Sequence, residues 1–65
     1  MFKENDVVIV KNDHPDKQVV AGQIGTVICC FTVPNEAYEV EFVDDSGSPV
    51  AQFALLPDEL EAYDF

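Results

Sequence analysis

The chain has 65 residues, 48% of them apolar, and carries 13 Asp and Glu against 3 Lys, for a formal net charge of −10. A chain this short forms one domain, residues 1–65. It buries only about 60% of the surface its unfolded form exposes, and so lacks an interior that could enclose a substrate. The charge argues against nucleic acid, whose phosphates need cations to displace their counterions, and against anionic membranes for the same reason.

Asp6–Lys11, "DVVIVK", is a β-branched run that reads as a buried strand. Asn12–Gln23 follows with Asn, Asp, His-Pro and Gly, the composition of a long loop. Ile24–Val33, "IGTVICCFTV", predicts a second strand, and Pro34–Glu36 a turn. Over Ala37–Val43, Tyr38, Val40 and Phe42 alternate with Glu39 and Glu41, the period of a strand with one wet face. Asp44–Pro49 reads as a hairpin turn and Val50–Leu56 as a fourth strand. Pro57–Leu60 starts one helical turn, with proline pre-setting φ and acids at its N-terminus. "EAYDF" closes the chain as a short fifth strand; Tyr63 is expected in the core, and Phe65 is left open between core and an exposed anchor.

Five short strands with brief turns point to an all-β fold, either a barrel or a curled sheet. A long first loop, tight connections and a single helical turn before the last strand predict an SH3-like five-stranded barrel. Beyond this layout, "DVVIVK", "AGQIGTV", "AYEVEFVDDSG" and "ALLPDEL" resemble the bacterial family called domain of unknown function 4926. The resemblance spans Asp6 to Leu60 and is carried most specifically by Gly25-Thr26-Val27 and Ala37–Phe42. It implies a small stand-alone SH3-like protein and brings no catalytic or binding residues. It also implies that Cys29 is the more exposed of the two thiols and Cys30 the more buried.

Charge is uneven along the chain. Residues 1–25 hold all three lysines and a net of −1, whereas residues 26–65 hold no Lys or Arg and a net of −9. Two readings stay open: solubility, and attraction to a basic protein. Met1 leads into charged residues with no apolar signal region, and no apolar run approaches the roughly 18 residues of a membrane span. The expectation is a cytoplasmic protein with its two cysteines reduced.

Several motifs tempt a chemical reading. Gly22-Gln23-Ile24-Gly25 fits G-x-x-G, yet no cation lies beyond Lys17 and a strand follows rather than a helix. The glycines are assigned instead to a positive-φ turn at Gly22 and a close backbone approach at Gly25. Cys29 and Cys30, adjacent on a strand, point to opposite faces and cannot converge on one ion. They read as small fillers. Glu39 and Glu41 stand roughly 6.6–6.8 Å apart along a strand, a carboxylate spacing seen in glycoside hydrolysis, but without the cleft such chemistry needs. "DDSGS" fails the calcium-loop pattern because its twelfth position is Leu55 or Leu56. His14 has no nucleophile and acid placed beside it and reads as a loop residue.

No metal, cofactor or catalytic residue is therefore expected, and the chain reads as a non-catalytic binding module. Its candidate partner-binding residues are Glu39, Glu41, Asp44, Asp45, Asp58, Glu59 and Glu61, a face for a basic protein. A neutralising role, as an antitoxin or immunity protein, follows by analogy of size and fold. The alternative is an accessory structural subunit or a homo-oligomer that pairs exposed strand edges.

Overall fold

The computed structural model describes residues 2–63. Asp64 and Phe65, the end of the expected last strand, lie outside them. Five strands run β1 (Val7–Val10), β2 (Ile24–Phe31), β3 (Ala37–Val43), β4 (Pro49–Leu55) and β5 (Leu60–Ala62). They form one antiparallel sheet in the order β4-β3-β2-β1-β5. The all-β class and its five strands are as the sequence predicts. No helix among the described residues is long and apolar enough to cross a membrane.

Burial follows side-chain parity. β3 turns Tyr38, Val40 and Phe42 inward, opposite Leu55, Phe53 and Ala51 of β4, and leaves Glu39 and Glu41 half-buried on the outer face. β1 turns Val8 and Val10 inward. Tyr38, Val40, Phe42, Leu55, Val8 and Val10 join Val19, Val27 and Leu60 in one core whose members are no more than 3% exposed, with Ala51 and Phe53 half-buried against it. Residues from both ends of the strand order share that core, so the sheet must curl. Gly25 faces β3 at close range: a Cβ there would lie 2.6 Å from Val40 Cγ1 and 2.8 Å from the Phe42 ring. The close approach expected at Gly25 is therefore real, and Gly22 has the expected positive φ, 91°.

The barrel, however, is not closed. Closure requires the two outermost strands to pair, and β4 and β5 do not. The 3-10 turn Pro57–Glu59 carries the chain away from β4 and across to β1, where β5 lays down three residues and the Lys11 amide donates to the Glu59 carbonyl at 2.9 Å. β2 stops at Phe31 rather than Val33 because β3 begins opposite it, at Ala37. Tyr63 is half-buried and outside the core. With Leu60 facing inward, Tyr63, three residues on, falls on the outer face, and its amide donates to the Val7 carbonyl.

The segment between β1 and β2 is more structured than its composition implies. It folds back on itself in layers. The Gly22 amide donates to the Val10 carbonyl at 2.8 Å, the Ala21 amide to the Asp13 carboxylate at 2.8 Å, and the His14 amide to the Val19 carbonyl at 2.7 Å. A second 3-10 turn, Pro15–Lys17, forms the tip, and Gln18 closes it in the left-handed region. This layering delivers Val19 into the core with no exposed surface.

Candidate functional site

β3 and the turn after it hold four of the seven candidate carboxylates in one line: Glu39, Glu41, Asp44 and Asp45. Glu39 lies between Cys29 of β2 and Ala54 of β4, and Glu41 between Thr26 and Gln52. None of these four neighbours is charged. Gln52 Nε2, a donor without charge, donates to Glu39 Oε2 at 3.1 Å and holds the carboxyl in place.

Asp44 has a structural task of its own. Its Oδ1 accepts from the Ser46 hydroxyl at 2.8 Å, the Ser48 amide at 2.9 Å and the Ser46 amide at 3.0 Å. The Ser46 hydroxyl, followed by the Ser48 amide, holds the Asp44 carboxyl below its ordinary pKa. The acidic turn is thus closed by its own first residue. Asp45 beside it is exposed.

The remaining three acids lie elsewhere. Asp58 is exposed on the 3-10 turn after β4. Glu59 Oε1 accepts from the Leu56 amide at 2.8 Å, and its Oε2 lies 4.0 Å from His14 Nε2. Glu61 sits on β5 opposite Ile9, three strands from β3. Thr26, Val7, Ile9 and Ile24 occupy the outer face between them. The seven residues therefore make a line along β3 and its turn, with Asp58 and Glu59 on the turn after β4 and Glu61 on β5, not one continuous face.

His14 is a loop residue, but a packed one. Its ring centroid lies 5.2 Å from that of Phe53, and the Lys17 ammonium stands 5.6 Å from the same ring on its way to solvent. Sequence reasoning missed this contact; the inward parity of Phe53 on the fourth strand was the available signal. Tyr38 makes a second cluster. Its hydroxyl donates to Glu36 and accepts from the Phe2 amide at 3.2 Å, and its ring meets Phe2 edge-on at 5.2 Å. The Glu36 bond, with burial second, raises the Tyr38 pKa. The cluster pins Phe2 to β3.

The cysteines depart from expectation. Cys29 is half-buried and Cys30 exposed, the reverse of the predicted order. A bulge sets which way each side chain faces, and missing cover over Cys30 sets the order of exposure. Val27 pairs with Val40 and Cys29 with the adjacent Glu39, so Ile28 is an extra residue and side-chain parity shifts after it. Cys29 then shares the Glu39 face. Cys30 stands opposite Tyr38, past Thr26, the last residue of β2 to pair with β1, and so lacks a covering strand. Its thiol lies 3.7 Å from the Phe2 carbonyl.

Comparison with known proteins gives one result. The family described as Domain of unknown function (DUF4926) matches residues 4–62. No curated protein and no solved structure matches the chain.

Proposed function

The chain belongs to the DUF4926 family, whose description assigns no activity, and from its own surface we propose a non-catalytic module that docks a basic protein. The observation that carries this reading is the line of Glu39, Glu41, Asp44 and Asp45 along β3 and its turn, in which the strand neighbours of Glu39 and Glu41 are all uncharged. Like charges held in a fixed row raise the local potential, speed encounter with a cationic surface and set its orientation. The proposed setting is the bacterial cytoplasm, and the proposed role is neutralising, an antitoxin or immunity protein that covers a basic enzyme. Asp58, Glu59 and Glu61 are secondary in this reading, because they stand apart from the row.

The test is affinity capture from native lysate at low and high salt, with wild-type protein and a Glu39→Gln/Glu41→Gln/Asp45→Asn variant. A basic protein retained by the wild type, released by salt and lost with the variant is the expected result. Equal capture by both proteins, or none by either, removes the reading. The alternative, a structural subunit or homo-oligomer, draws support from the unpaired edge of β4. Light scattering that gives a strict monomer excludes the homo-oligomer.

A further inference from the structure

β4 is a sheet edge without the usual protection. Among the described residues it pairs with β3 alone, which leaves the hydrogen-bonding groups of its other side without a strand partner. Natural edges are blunted by charged side chains, by shortness, by proline and bulges within the strand, or by a covering loop. Here the β1–β2 loop tip packs on the Phe53 side chain, through the His14 ring and the Lys17 ammonium, and gives the strand no second pairing partner among the described residues. β4 is "PVAQFAL", seven residues with no charge. Its proline is the first residue, and its one irregularity, between Phe42 and Val43 of the partner strand, faces the same end. From Ala51 onward the strand is regular. Ala51, Phe53 and Leu55 turn to the core side, while Gln52 and Ala54 on the other side are short or neutral and exposed. The opposite edge, β5, is only three residues long and carries Glu61.

The charges around β4 say what fits there. Glu39 and Glu41 lie one strand inward, Asp44 and Asp45 precede its start, and Asp58 follows its end. Against these five carboxylates stands Lys17, whose ammonium lies 5.6 Å from the Phe53 ring; no Lys or Arg occurs in residues 26–65. A second copy of the chain would bring its own net −10 against this edge, which disfavours self-pairing. An added strand would lie about 10 Å from β3, two strand spacings. Across the short side chains of Gln52 and Ala54, only long side chains such as Lys or Arg reach the β3 carboxylates.

We propose that the β4 edge accepts an extended cationic segment as a sixth strand, with main-chain pairing to Ala51–Leu55 and alternate Lys or Arg side chains directed at Glu39 and Glu41. This rests on the basic-partner reading and gives it a mode of binding, β-strand addition.

The probe is a ten-residue peptide of alternating lysine and valine, followed by NMR titration and amide exchange. Two analogues carry backbone N-methyl groups on the odd or on the even residues. A peptide strand pairs through alternate amides only, so one analogue should bind at least about tenfold more weakly, the cost of a hydrogen bond or two, and the other close to the parent. The parent peptide should slow amide exchange within Ala51–Leu55, and Glu39→Gln/Glu41→Gln should weaken it several-fold. If the parent binds through the β3 carboxylates and both analogues bind equally well, the strand-addition mode is overturned and the basic-partner reading stands. If an alternating glutamate–valine peptide binds as well as the lysine one, the cationic occupant and the basic-partner reading fall together. Absence of parent binding at low salt overturns the proposal, and salt-sensitive capture of a basic protein then keeps the broader reading separate. Dimerisation that protects the same β4 amides assigns the edge to a second copy and overturns it as well.

Discussion

The segment between β1 and β2 and the turn between β3 and β4 look alike in composition, rich in Asn or Asp with a glycine and a proline close by. They do different jobs. The β3–β4 turn is closed locally, by one Asp44 oxygen that takes three hydrogen bonds from Ser46 and Ser48. The β1–β2 segment is closed in layers and lends Val19 to the core at 0% exposure, with His14 and Lys17 packed against Phe53. One is a connector and the other is part of the interior. Turn-forming residues report that the chain reverses; they do not report whether the reversal carries core.

The sharpest way to break this contrast is Val19→Asp. An unpaired charge in the core should cost more than about 3 kcal/mol, most of the stability expected of a domain this size. Asp45→Asn in the other turn, at an exposed side chain, should stay within roughly 0.5 kcal/mol. Urea denaturation of both variants decides it, and equal effects would make the long segment a mere connector. Gly25→Ala comes next, because its methyl would meet buried Val40 and Phe42; overpacking should cost about 1–3 kcal/mol by the same measurement. Gly22→Ala follows. No atom lies within 4 Å of its Cβ position, so the whole cost is the positive φ, about 1 kcal/mol.

The smallest effect belongs to Asp44. Its folded pKa is lowered, so its contribution is present above the ordinary Asp pKa and is lost as pH falls through the folded value. Asp44→Asn should lower the melting temperature by a few degrees at neutral pH, and the gap from wild type should close in acid. A gap that persists at low pH would show that the turn depends on shape rather than on the carboxylate's charge. Tyr38 runs the other way. Its raised pKa favours the neutral phenol in the folded state, so its contribution is present below the ordinary Tyr pKa and fades as pH climbs through the folded value.

Much of the framework was legible in local pattern. Ala37–Val43 alternates without a break and is a strand over the predicted residues, because period-two patterning needs no distant partner to be read. The Pro57 turn and the backbone roles of Gly22 and Gly25 were legible for the same local reason. The site was legible only in part. Glu39 and Glu41 share a face by parity, and Asp44 and Asp45 follow along the chain. That Asp58, Glu59 and Glu61 stand apart depends on strand order, which pairs β5 with β1 rather than β3.

The sequence by itself determined an acidic all-β domain, its strand count and the outward row on β3, since composition, side-chain parity and turn chemistry act over a few residues. Tertiary structure decided the rest. Cys30 stands on the core side opposite Tyr38 but beyond the reach of β1, and so is exposed while Cys29 is half-buried. The hidden Val19 made a loop into core. A three-residue β5 paired with β1 and left the edge of β4 open. Each of these depends on which strands meet and in what register, a choice made by contacts between residues far apart in the chain, where no local pattern reaches.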